Sequence, residues 1–163
     1  MKRLIVLTIT FFLAASGRAQ TDTSVLYLRF PTVPPFSITR VTDSTKFTKN
    51  DLLKKKATII IIFSPDCEHC QKVTRELVAN IKLFKKAQII MASPLEHKYL
   101  KKFYKEYNIA SCPNIIMGRD PGYFFGGFYR LRFFPGIFLY DKKGNFVKAF
   151  DANIPVEKIA EAL

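Results

Sequence analysis

The sequence predicts a single α/β domain, a central mixed β-sheet flanked by helices and preceded by an N-terminal extension. Three observations carry this. First, ATIIIIF (57–63) and QIIMA (88–92) are continuously apolar, as strands buried on both faces are. Second, each is followed by helical periodicity: Cys70, Val73, Leu77, Ile81 and Phe84 after the first, Leu100, Phe103, Tyr104 and Tyr107 after the second. Third, GIFLYD and NFVKAF flank Lys142-Lys143-Gly144, a hairpin with glycine placed for a positive φ. Strand, helix, strand, helix, hairpin, helix describes one layered domain.

The elements follow in order. Residues 1–19 have the anatomy of a cleaved secretory signal: basic Lys2 and Arg3, an apolar run from Leu4 to Ala15, and small Gly17 and Ala19 before Gln20. The run is too short to span a bilayer as a helix. The expected product is an exported domain, residues 20–163, periplasmic or secreted. Pro31, Pro34 and Pro35 mark an extended arm. SITRV (37–41) alternates like an edge strand, DSTK reads as a turn, and KNDLL (49–53) as one helical turn. Ser64, Pro65 and Asp66 stop the first buried strand, and a helix begins at Cys67 and runs through Phe84. A basic amphipathic helix covers 95–107. A loop with Cys112 and Pro113 leads to the apolar run Ile115 to Met117, and residues 118–130, rich in glycine and aromatics, resist assignment. IPVEKIAEAL closes as a helix packing Ile159 and Leu163.

The formal charge is +13; Lys2, Arg3 and Arg18 fall in the leader, which leaves 23 basic against 13 acidic side chains, or +10. No zinc-finger spacing or aromatic-interleaved RNA motif accompanies it, so nucleic acid is not an expected partner. The lysines come as short runs, Lys54–Lys56, Lys85–Lys86, Lys101–Lys102 and Lys142–Lys143, scattered over helix ends and turns. They read as solvated faces, with an acidic partner or anionic membrane as the sharper possibility.

The stretch FSPDCEHCQ (63–71) carries the chemistry. All three cysteines, Cys67, Cys70 and Cys112, lie in the exported part, and a loop of two residues is a poor structural staple. A strand, a tight turn and a helix place Cys67 at a helix N-terminus, where unpaired N–H groups favour a thiolate. Cys70 follows one turn later on the same face. His69, when cationic, would stabilise the thiolate; Glu68 and Asp66 would oppose it. Covalent haem attachment requires histidine after the second cysteine, where Gln71 stands. Structural zinc requires four ligands at ligand spacing, which Cys112, His69 and His97 do not complete, so no metal site is expected. Thiolate-bound Cu(I) is the best metal alternative.

At this point the sequence resembles a known family. PFSITRVTDSTKFTKNDLLKKKATIIIIFSPDCEHC is similar to the start of a thioredoxin-like domain of the TlpA/ResA kind, and FFPGIFLYDKKGNFVKAF to its later stretch. The resemblance covers about residues 35–163. It implies a thioredoxin-like fold, Cys67 as exposed nucleophile, Cys70 as resolving cysteine, and a cis bond at Phe134–Pro135 facing the pair and contributing to substrate binding. It implies no cofactor beyond the Cys67–Cys70 disulfide. The chain departs from the family in three places: Asp66 replaces an aromatic, Ile61 a buried acid, and Gly136 a threonine. The Thr-x-x-Cys of the peroxiredoxin branch is absent, since Ser64 lies three before Cys67.

The function expected is an exported thiol–disulfide oxidoreductase. Its partners would be protein thiols and disulfides of the cell envelope and a membrane or periplasmic redox partner, the protein itself being a monomer. The alternative is a copper-binding or copper-delivery protein using the same thiols. Cys112 reads as a small buried hydrophobe or a third redox thiol, and His97 as solvated. Tyr123, Phe124, Phe125, Phe128 and Tyr129 either line a groove for unfolded polypeptide or pack in the core.

Overall fold

A computed structural model describes residues 25–163; the leader expected at 1–19 lies outside the described residues. Among these, no helix is long and apolar enough to cross a membrane. After a short helix α1 (Leu26–Arg29) come strands β1 (Ser37–Arg40), β2 (Lys46–Thr48) and β3 (Ala57–Ile62), and helix α2 (Glu68–Ala79). They are followed by β4 (Ala87–Ser93), α3 (His97–Glu106), β5 (Ile115–Arg119), α4 (Phe124–Phe128), β6 (Gly136–Tyr140), β7 (Phe146–Phe150) and α5 (Val156–Ala160).

One seven-stranded sheet runs in the order β2-β1-β5-β4-β3-β6-β7. β3, β4 and β5 are parallel, and the strands outside them pair antiparallel. The β-branched run of β3 sits between β4 and β6 with a packed layer against each face, which is why both its faces are apolar. Side chains alternate along it: Ile59 and Ile61 pack with Cys70, Val73 and Leu77 of α2 and Leu100 and Phe103 of α3. Ile60 and Ile62 face the other layer, with Phe125, Tyr129 and Phe138. Each such isoleucine removed from water contributes about 1.5–3 kcal/mol.

The hairpin β6–β7 turns at Gly144, with φ +84°. Residues 118–130, unassigned from sequence, hold α4. Both carboxylate oxygens of buried Asp120 accept the first free amides of that helix, from Phe124 at 3.0 Å and Phe125 at 2.9 Å. The signal available in the sequence was an acid ahead of a Pro-Gly turn.

Several expectations are corrected. SITRV is not an edge strand: β1 lies between β2 and β5, and the edge is β2, three residues that begin inside the expected DSTK turn. The turn itself is held by Asp43, whose carboxylate accepts the Thr45 N–H and hydroxyl at 3.0 and 2.7 Å. The first long helix ends at Ala79, not near Phe84. The backbone and side-chain amides of Asn80 both donate to the Glu76 carbonyl, and Ile81–Phe84 continue as a tighter 3-10 turn. Leu163 is not part of the buried core; it is 36% exposed, while Val156 joins Ile159 there. His97 is half-buried rather than merely solvated, its Nε2 lying 3.2 Å from the Val41 carbonyl.

Candidate active site

β3 delivers the chain to a turn at Ser64–Asp66 and thence into α2. The turn closes through two hydrogen bonds: Cys67 N–H to the Ser64 carbonyl at 3.1 Å, and Gln71 Nε2 to the Pro65 carbonyl at 2.9 Å. Cys67 is the N-cap residue of α2, and its Sγ accepts the backbone N–H of Cys70 at 3.4 Å. A backbone donor aimed at sulfur from the first turn of a helix is the arrangement that stabilises a sulfur anion.

The two cysteines differ in access. Cys67 is half-exposed, while Cys70 is 1% exposed and packs in the core. Both are free thiols here. Burial pushes the Cys70 thiol well above its ordinary value, and its hydrogen bond with Cys67 adds to the shift. Burial therefore favours the protonated Cys70 thiol in the reduced pair.

The Phe134–Pro135 bond is cis and lies beside the pair: the Cys67 thiol donates to the Phe134 carbonyl at 3.6 Å. Elements 67 residues apart in sequence meet here because β6 pairs with β3, Gly136 opposite Ile62. Glu68 and His69 lie in the first turn of α2 with exposed side chains. Solvent screens whatever charge they present to the sulfur.

Cys112 does not join the site. It is buried three residues ahead of β5, at the end of the sheet where the parallel strands begin, whereas Cys67 lies where they end. Of the aromatic group, Phe125, Phe128 and Tyr129 are buried, and Tyr123 and Phe124 are exposed. The Tyr123 ring lies edge-on to Phe134 at 6.5 Å. It rests on the bare backbone of Gly126, where a methyl group would overlap it. Phe133, next to Phe134, is 80% exposed. Sequence reasoning did not single out Phe133; its signal was its place beside the proline of FFPG.

Solved structures with this arrangement of elements include a secreted disulfide oxidoreductase of Mycobacterium tuberculosis homologous to Escherichia coli DsbE (16% identity, 78% of this chain and 93% of that one, TM-score 0.64). StoA from Bacillus subtilis matches at 16% identity over 81% and 98% of the two chains, TM-score 0.61. Arabidopsis thaliana ScoI, with copper bound, matches at 20% identity over 78% and 92%, TM-score 0.62. No curated protein matches the sequence. The fold is thioredoxin-like, with a CxxC dithiol at the junction of its first buried strand and the following helix. The chain belongs to the AhpC/TSA family, whose profile matches residues 31–161.

Proposed function

We propose that this protein is an exported thiol–disulfide oxidoreductase that exchanges disulfides with protein substrates through Cys67 and Cys70. The observation that carries the reading is the asymmetry of the pair: a half-exposed sulfur capping α2, and a buried one a turn behind it. As a thiolate, Cys67 attacks one sulfur of a substrate disulfide. A mixed S–S bond forms, the substrate S–S bond breaks, and the departing sulfur takes up a proton. Cys70 then loses its proton and attacks the Cys67 sulfur, releasing the substrate as a dithiol and leaving the Cys67–Cys70 disulfide. Two electrons pass to the substrate, and the reverse sequence oxidises a dithiol.

Phe133, Tyr123 and the Phe134 backbone beside Cys67 support a polypeptide substrate, offering apolar contact and a carbonyl for an extended chain. The Lys2–Ala19 leader pattern supports export, and with it partners in the cell envelope and an envelope redox protein that resets the pair. Glu68 and His69 would trim the potential from the helix surface.

The test is a non-reducing gel of three variants expressed in the envelope. Cys70→Ser should accumulate mixed disulfides that vanish on reduction, Cys67→Ser should form none, and Cys112→Ser should behave as the parent. Equal trapping by the first two would refute the assigned roles. Copper delivery is the other chemistry open to these thiols. Among the described residues no group of three His, Cys, Asp or Glu side chains is placed to hold a metal, so Cu(I) would rest on Cys67 and Cys70 alone. Cu(I) retained stoichiometrically through dialysis against a chelator, with no disulfide reductase activity, would overturn the redox reading.

A further inference from the structure

Six lysines that are distant in sequence meet at one end of the sheet. Lys55 and Lys56 precede β3, Lys85 and Lys86 precede β4, and Lys142 and Lys143 lie in the turn after β6. β3 and β4 run parallel and β6 antiparallel, so the starts of the first two and the finish of the third share one end. All six line a surface cavity of about 650 Å³. The expectation of scattered lysine runs is thereby corrected for three of the four.

Five of the six are exposed and Lys56 is half-buried. The ion pairs of the described residues involve none of them. The one acidic side chain on the cavity wall, Asp141, has its Oδ1 committed to the backbone N–H groups of Lys143 and Asn145, each at 2.8 Å. So many like charges around one cavity repel one another and attract a counter-charge. Aliphatic side chains share this end. Val147 and Leu163 line the same cavity and are exposed, and exposed Leu83 lies two residues before Lys85.

We propose that this lysine-rich end is a docking surface for an anionic lipid bilayer. Lysines would meet the headgroup phosphates while the aliphatic side chains enter the boundary beneath them, the division of labour of an interfacial protein surface. A polypeptide offering acids alone would satisfy the lysines and leave the aliphatic groups wet. The placement has a consequence for the dithiol. The six residues of β3, about 20 Å, run from the lysine end to the end beyond which Cys67 lies, so a docked molecule presents it away from the lipid. The inference does not depend on the redox assignment.

The test is co-sedimentation of the full chain with vesicles of phosphatidylcholine and phosphatidylglycerol, against phosphatidylcholine alone. Any contribution of the N-terminal segment is then common to every variant. Binding should require phosphatidylglycerol and weaken with salt. Neutralising Lys85, Lys86 and Lys143 to glutamine should weaken it about fivefold per lysine. The matched triple on α3, Lys98, Lys101 and Lys102 to glutamine, should change it little, and Leu163→Ser should weaken it even at high salt. Bound protein should keep its rate of Cys67 alkylation by a bulky maleimide. The proposal is overturned if the parent stays in the supernatant, if the two triples lose binding equally, or if Cys67 becomes protected. Binding to polyglutamate with none to vesicles would likewise overturn it, in favour of an acidic protein partner.

Discussion

Cys70 donates its backbone N–H to the sulfur of Cys67 at 3.4 Å, while its own thiol is buried beneath that sulfur's helix. One residue thus offers its partner's sulfur a backbone donor and withholds its own side chain from solvent.

Alkylation should follow that division. Iodoacetamide added to the native reduced protein should label Cys67 and leave Cys70 and Cys112 unmodified, whereas denatured protein should take three labels. Mass spectrometry of tryptic peptides reads the result. Comparable native labelling of Cys70 would contradict its burial.

Stability should fall in alkaline solution, and Cys70 should account for part of the fall. Burial raises its folded-state pKa above the ordinary value, so the folded protein binds the proton more tightly than the unfolded one. That contribution is complete below the ordinary thiol range, near 9, and is lost as pH rises above it. Tyr129 and Tyr140, whose pKa values burial also raises, act in the same direction. Melting curves of the reduced parent and Cys70→Ala at rising pH isolate the cysteine: the variant should show the shallower alkaline decline.

The aromatic lip should matter for polypeptides and not for the chemistry. Phe133→Ser should raise KM for a disulfide-bonded polypeptide severalfold while leaving exchange with glutathione unchanged and stability within about 0.5 kcal/mol. Gly126→Ala should act like Tyr123→Ala, because the added methyl displaces the tyrosine ring from its seat. Parallel kinetics with the two substrates, alongside urea melts, check both.

The reduction potential should lie between about −270 and about −120 mV. His69→Ala should lower it, since a cation near the sulfur favours the thiolate and therefore the reduced form. Exposure of His69 limits the change to about 10–20 mV. Equilibration with glutathione buffers measures it; a rise on substitution would reverse the sign of this electrostatic account.

What could be read from the sequence is what depends on neighbours along the chain. The buried run 57–62, the break at Ser64–Asp66 and the spacing Cys67–Cys70 are local, and they place the dithiol. The pairing of β1 was not legible, because whether SITRV lies at an edge is decided by β5, some 75 residues later, and by a three-residue strand with no pattern of its own. Apolar spacing carried the reading of α2 past Asn80, since a 3-10 turn buries Phe84 as a helix would. The lysines looked dispersed because their meeting is a property of strand direction. Phe133 carries no periodic signal, only its place beside Pro135.

The two margins of the sheet share a property. One is β2, three residues long; the other is β7, which carries exposed Lys148 and pairs with β6 through an irregular register at Leu139–Tyr140. At its start the outward backbone of β7 is already taken: Phe146 N–H donates to the Pro31 carbonyl at 2.8 Å, and Thr32 bridges Asn145. The arm that supplies these contacts contains prolines, which have no N–H to offer onward. A second copy seeking to extend the sheet finds one border too short and the other occupied, twisted and charged. Under the proposed function, this resistance to edge-to-edge pairing would let the protein handle polypeptide substrates at Cys67 without its own sheet recruiting their strands.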